Sequence, residues 1–293
     1  MNFLKINGAY GEGGGQIVRS AITLSCITNQ PIHLENIRKN RKNEGLKPQH
    51  LTAIKILKKI SNAKVIGDTL GSTELKFIPG EIKNLELIED VKTAGSISLI
   101  LQVLIPAVSI SQKKLSLIIK GGTDVMWSPT MNYTKYVLKE AYSRMGIKFE
   151  IQITKRGYYP KGEGEIKVEV FPSEIKSIKL SKRKKQKLQL KCSFSKIPIQ
   201  VIEKKIDVIK EEVEKHNFEI EIEMKEDEAS DSGSSVLIYS VDENSIIGID
   251  GLFNKKTQNF DLDLNKIIEA EIETTTLIGE LNLFLMHFVR WRM

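Results

Sequence analysis

The sequence predicts an α+β fold. Repeated units of two helices on a four-stranded sheet form a large domain, and a smaller α/β domain is inserted into it. Three observations lead there. A helix–strand–helix–strand–strand pattern occurs twice, with matching elements offset by about 81 to 91 positions, the mark of a duplicated unit. The apolar residues follow helical spacing in some segments, as at Leu51, Ile54, Leu57 and Ile60, and alternate in others, as at Ile166, Val168 and Val170. Beyond the basic run "SKRKKQK" (181–187) the texture changes to an acidic α/β pattern.

The first copy opens on a glycine loop and an apolar helix at about 14–27. Strand 32–37, helix 50–61, a short strand "AKVIG" and strand 72–80 follow. The second copy has a helix at about 95–109, strand 115–122, helix 132–146 and strands 147–154 and 164–170. The expected domains are therefore 1–182 with 273–293, holding two copies and an incomplete third, and an insert at 183–272. The insert reads as strand "LQLKCSF", amphipathic helix 198–216 and strand 218–224. An acidic Ser/Gly loop, strand 235–241, a glycine-containing segment and a helix from about 263 complete it.

Composition narrows the function. The chain has 293 residues and a 41% hydrophobic content, enough for a real core. Two cysteines far apart, Cys26 and Cys192, argue against a disulfide framework and fit a reducing cytoplasm. There is no secretory leader pattern at the start, and the longest apolar run, 96–110, is too short for a bilayer and carries Gln102 and Pro106. No membrane partner is expected. The net charge of +7 is unevenly spread. Residues 1–196 carry 34 Lys and Arg against 16 Asp and Glu, whereas residues 197–250 carry 5 against 15. A polyanion, nucleic acid above all, suits the first two-thirds. A lysine-rich surface that merely solvates the protein is the competing account.

The stretch "GAYGEGGGQIVRSAITLSC" (8–26) puts a bare backbone before a helix. Helix N-termini offer unpaired N–H groups to anions, so a phosphate is the natural ligand. It is neither a Walker loop, since Gln16 follows Gly15, nor a dinucleotide fingerprint. A tight turn into a helix explains the glycines equally well.

Five blocks then occur in order: "GEGGGQIVRS" (11–20), "ENIRKNRKNEGLKPQH" (35–50), "TAGSISLILQ" (93–102), "GGTDVMWSP" (121–129) and "RGYYPKGEGEI" (156–166). Together they resemble the RNA 3′-terminal phosphate cyclase family, across most of residues 1–170. In the last block Glu163 stands where the family usually has the middle of three glycines. The resemblance implies a three-fold repeat with a small inserted domain. It implies ATP-dependent conversion of an RNA 3′-phosphate to a 2′,3′-cyclic phosphate through adenylylated intermediates, with ATP and a divalent metal, Mg or Mn, as cofactors and RNA 3′ ends as partners.

The resemblance also assigns residues. Arg19, Arg38 and Arg41 match basic positions suited to bidentate phosphate contacts, although Arg38 and Arg41 can also be read as exposed loop residues. Glu12 matches the glutamate of the glycine loop and would hold the metal on the triphosphate, the alternative being a helix cap. Gln102 and Pro129, with Glu12 and Arg19, form the nucleotide set; a buried amide partner and a helix-starting proline are the structural alternatives. Gln49 and His50 complete the RNA and phosphate set, with His50 equally readable as the start of a helix. Trp127 either stacks on a base or fills the core, and the core is favoured.

The family's histidine nucleophile lies in a C-terminal stretch resembling "LHTxTN", which this sequence does not contain. His287 is the histidine of the C-terminal segment and falls at a nucleotide-contacting position of the pattern, so the catalytic residue is left unassigned. An incomplete third repeat would expose apolar surface and favour a homo-oligomer. Two other readings stand beside the cyclase: a non-catalytic RNA-binding factor of the same fold acting in rRNA processing, and a small-molecule transferase built on similar repeats.

Overall fold

A computed structural model describes residues 2–178 and 187–273. Its described residues fall into two compact units, each treated by itself. One comprises those of Met1–Gly121, Gly146–Gln152 and Glu165–Ile175. The other comprises Gly122–Met145, Ile153–Gly164 and the described residues from Lys176 onward.

The first unit holds the duplication. Strand β1 (Leu4–Asn7), helix α1 (Gly15–Thr28), β2 (Ile32–Glu35), α2 (Pro48–Ser61), β3 (Lys64–Ile66) and β4 (Leu75–Ile78) form the first copy. In the second, β5 (Leu85–Asp90), α3 (Ile97–Ile110), β6 (Leu115–Gly121), β7 (Lys148–Lys155) and β8 (Gly164–Phe171) repeat the strands and the first helix, while the helical segment between β6 and β7 and the end of β7 are assigned to the other unit. The sheets run β1-β2-β4-β3 and β5-β6-β8-β7, with β1/β2 and β5/β6 both parallel. The two are the same sheet made twice. The periodicity did not reveal β1 and β5. Both are edge strands whose side chains are mostly exposed on either face, so neither alternates.

Helix α1 buries Val18, Ala21, Ile22, Ser25 and Cys26, one stripe at helical spacing. Asn29, in the left-handed region at φ 54°, ends it. Helix α3 is buried at every position except Gln102 and Ile110, and the Thr23 hydroxyl of α1 reaches the Val103 carbonyl at 3.4 Å.

The second unit is built on the sheet β10-β9-β11-β12-β13, formed by β9 (Leu188–Ser195), β10 (Ile220–Glu226), β11 (Gly233–Val241), β12 (Ile246–Asn254) and β13 (Asn259–Phe260). The crossover between parallel β9 and β10 is α5 (Ile199–Lys215). Its buried Ile202, Ile206, Ile209 and Val213 pack with Leu188, Leu190, Phe194, Val236 and Ile238. The expected glycine-containing segment is strand β12; Gly248 leaves room there for Val137, and an added Cβ would press on its methyl at 2.7 Å. Tyr133–Leu138 forms a π-helical stretch leading into α4 (Lys139–Arg144), and Val137 packs on Leu237 and Tyr239. Helix α6 (Leu264–Glu273) completes the unit. Among the described residues no helix is long and apolar enough to cross a membrane.

Candidate functional site: a cluster of cations beside the glycine loop

Two loops of the first unit are tied together. The Asn40 side-chain amide donates to the carbonyls of Ala9 and Gly11 at 2.9 and 3.0 Å. Loop 36–47 thereby lies against the glycine loop. Ile37 N–H donates to Thr73 O at 2.9 Å and Gly45 N–H to Ile37 O at 2.8 Å, which fixes the loop's own path. Gly13 turns at φ 63°, a conformation glycine adopts without cost. Arg38 sits at φ 59° with a side chain, an outlier of the kind that collects at functional sites.

Helix α1 starts at Gly15 with Gly14 as its cap, and no side chain caps it or adds an acidic group in its first turn. The positive end of the helix dipole favours an anion at such a start. The Glu12 carboxylate pairs with the Arg41 guanidinium. A Cβ on Gly15 would overlap His50 Nε2 and come within 3.5 Å of Arg19 Nη1. The absence of a side chain there is what lets the histidine and the arginine approach the helix start.

His50 is buried in α2, and its Nδ1 accepts the Lys47 N–H at 3.1 Å. Burial first, then the charges of Arg19, Arg38 and Lys47, lower its pKa to about 3, so the ring is neutral. Neutrality with Nδ1 as acceptor leaves the proton on Nε2, which is buried with no hydrogen-bond partner. The arginines show the same crowding. Burial and the neighbouring Arg38 bring Arg19 down to about 10. Arg38 is lowered by burial and by Arg41, and Lys47 by burial and by Arg38. The Nε atoms of Arg19, Arg38 and Arg41 are all buried without hydrogen-bond partners. Buried donors are nearly always paired. Three unpaired guanidinium nitrogens and an unpaired imidazole nitrogen have the charge and the donors that suit a multiply charged oxyanion.

Of the residues singled out from sequence, Glu12, Arg19, Arg38, Arg41 and His50 come together here. Gln49 stands beside His50 on α2, and a Cβ on Gly95 would meet its Oε1 at 3.5 Å, so the "TAGSIS" block lies close by. Gln102 is the half-buried polar break in α3. Pro129 belongs to the other unit, where it is buried; Thr130, not the proline, takes the helix-starting role, its hydroxyl accepting the Tyr133 N–H at 3.2 Å. Trp127 is not in the core: it is 85% exposed, which overturns the favoured reading. His287 lies outside the described residues. Glu163, the departure from the glycine pattern, has φ 52°, so the fold keeps a glycine-like backbone there without glycine.

Sequence reasoning missed Asn40 and Lys47, although both stand in the quoted 35–50 block. It also missed His33, Glu35 and Glu74, whose ligand atoms lie within 4.8 Å of one another. Only the antiparallel register of β2 and β4 brings Glu74 to His33. Glu12 is not part of that group.

A duplicated α+β unit thus carries a crowded cation cluster beside a glycine loop. The RNA 3′-terminal phosphate cyclase family matches residues 10–274, and the chain belongs to that family. It is 42% identical over 257 residues to the RNA 3′-terminal phosphate cyclase of Saccharolobus solfataricus, covering 85% of this chain and 74% of that protein. It is 40% identical over 256 residues to that of Thermococcus kodakarensis, covering 86% and 74%. It is 41% identical over 259 residues to that of Pyrococcus furiosus, covering 85% and 74%.

Proposed function

We propose that this protein is an ATP-dependent RNA 3′-phosphate cyclase: RNA ending in a 3′-phosphate plus ATP gives RNA ending in a 2′,3′-cyclic phosphate, AMP and pyrophosphate, through adenylylated intermediates. One observation carries the reading. The Nε atoms of Arg19, Arg38 and Arg41 and Nε2 of His50 are buried, unpaired and grouped beside an uncapped helix start. The chemistry asks for such a place. A phosphate monoester dianion is a poor electrophile and must be given a leaving group, and a triphosphate repels it. Fixed cations hold such groups together and stabilise charge as it moves. Neutral His50 adds an N–H donor without adding to the repulsion among the arginines.

In this reading Arg19 contacts the nucleotide phosphates, and Arg38, Arg41, Gln49 and His50 hold the RNA phosphate. Gln102 contacts the nucleotide. A divalent ion, Mg or Mn, would be held by Glu12; a hard cation suits its carboxylate, which must then be shared with or released from Arg41. That ion would supply charge neutralisation on the triphosphate. The proposed domain limits remain 1–182 with 273–293 and 183–272, and the proposed location is the cytoplasm.

The test incubates the protein with a labelled RNA bearing a 3′-phosphate, ATP and Mg or Mn. The product should resist phosphatase and require ATP. RNA that binds but stays phosphatase-sensitive under all these conditions would instead support the non-catalytic RNA-binding factor.

A further inference from the structure

Trp127 has the greatest exposure of any large hydrophobic side chain among the described residues, at 85%. Its backbone lies at φ 61°, which a bulky L-residue adopts only at a cost. Neither feature helps the free protein: the indole forgoes burial and the backbone is strained.

The loop is nevertheless held firmly on both sides. Three residues before Trp127, buried Asp124 accepts from Thr123 Oγ1 at 2.6 Å, Arg156 Nη1 at 3.1 Å and Met131 N–H at 3.2 Å. Just after it, Ser128 Oγ donates to Val125 O at 2.8 Å, and Thr130 N–H donates to Asp250 at 2.6 Å. The same network clasps a second loop: Thr123 and Asp124 N–H groups both donate to Gly157 O, at 2.9 and 3.2 Å. Two residues beyond Gly157, Tyr159 is 75% exposed, and exposed Lys161 follows. One buried framework thus carries two exposed aromatic side chains, with exposed Lys161 two residues beyond Tyr159. Flat π surfaces on a rigid support, with cations nearby, are how proteins hold unpaired nucleobases.

We propose that Trp127, with Tyr159 from the clasped loop, forms a stacking platform for an unpaired base at the 3′ end of the RNA. This rests on the RNA 3′-phosphate cyclase reading. RNA is the occupant that fits, because residues 1–196 carry the excess of Lys and Arg and both loops fall within them.

The experiment uses the full chain and two fluorescent RNA probes with 3′-phosphates, identical except that one lacks the bases of its last few nucleotides. Wild type should bind the abasic probe roughly tenfold or more weaker than the intact one, the range expected for base stacking. Trp127→Ala should lose a similar factor on the intact probe and no longer distinguish the two. Trp127→Phe should recover most of the difference. Trp127→Gly separates function from structure: it relieves the left-handed strain, so its melting temperature should equal or exceed that of wild type while RNA affinity falls. ATP affinity, measured by calorimetry, should stay unchanged in all three variants.

Equal binding of both probes by wild type, or unchanged discrimination in Trp127→Ala, overturns the platform while leaving cyclisation by wild type intact. Loss of ATP affinity alone in Trp127→Ala overturns the RNA assignment and places the nucleotide's adenine on the ring. Wild type that neither binds nor converts the intact RNA overturns the cyclase reading and the platform together.

Discussion

Acidifying the protein from about pH 7.5 to about pH 5 should cost roughly 2 kcal/mol of stability through His50 alone. In the unfolded chain the imidazole takes up its proton near the ordinary value of 6.5. In the fold, burial and the charges of Arg19, Arg38 and Lys47 hold it neutral down to about 3. The folded pKa is the lower one, so below 6.5 the unfolded state binds the extra proton. The stabilisation is fully present above 6.5 and is lost as the pH falls from there towards 3. At pH 5 the gap from the unfolded value, at about 1.4 kcal/mol per unit, gives that figure.

His50→Asn supplies the control. Its side-chain oxygen can take the place of Nδ1 as acceptor for the Lys47 N–H, and it does not titrate. Urea unfolding of both proteins at the two pH values isolates His50 from the other histidines by subtraction. Wild type should lose about 2 kcal/mol more than the variant on acidification. Added pyrophosphate should shrink that difference, because a bound anion offsets the neighbouring guanidinium charges. Parallel pH profiles for the two proteins would refute a buried neutral His50 and, with it, the crowding of cations around it.

Gly15→Ala should lower stability by about 1–3 kcal/mol in thermal unfolding, because its Cβ would overlap the His50 ring. Glu163→Gly should raise stability by about 1 kcal/mol by removing a side chain from a left-handed backbone at φ 52°. Arg38→Gln should weaken RNA binding and reduce the slope of log affinity against log salt by about one, as measured by titration at several salt concentrations. Arg156→Met should cost about 3–5 kcal/mol in urea unfolding, because it leaves the carboxylates of Asp124 and Asp227 without their shared cation.

How much of this was legible depended on whether a residue's role is local. Helix α2 announces itself through Ile54, Leu57 and Ile60 because one face is buried along its whole length. The duplicated sheet order follows from the repeated pattern, but its first strand in each copy was invisible. Leu4–Asn7 and Leu85–Asp90 lie at edges and bury too little to alternate. Strand Ile246–Asn254 was hidden by Gly248 and Gly251, which read as turn residues yet give way to neighbours packed across the sheet. In the candidate site the arginines were found from their blocks. The link through Asn40, the neutrality of His50 and the exposure of Trp127 depend on long-range packing, which no spacing in the chain encodes.

Arg156 shows why block matching alone cannot assign a role. Like Arg19, Arg38 and Arg41, it stands in a glycine-bearing block shared with the family. Its donors are nevertheless taken. Nε reaches Asp227 at 2.9 Å, Nη1 reaches Asp124 at 3.1 Å, and Nη2 reaches Asn132 and Ser193, each at 2.7 Å. Burial would lower its pKa, but Asp124, Tyr158 and Asp227 outweigh burial and raise it. This arginine is saturated and has nothing to offer a ligand. The glycine-loop arginines differ on both counts, with unpaired Nε atoms and, for Arg19 and Arg38, lowered pKa values. An anion that binds only the folded state stabilises it by mass action, about 2.7 kcal/mol at a hundred times its dissociation constant. Pyrophosphate should therefore raise the melting temperature. In hydrogen exchange it should protect residues 8–19 and 36–50 and leave 123–132 and 156–158 unchanged. Protection confined to the Arg156 network would reverse the two assignments and make the saturated arginine the phosphate site.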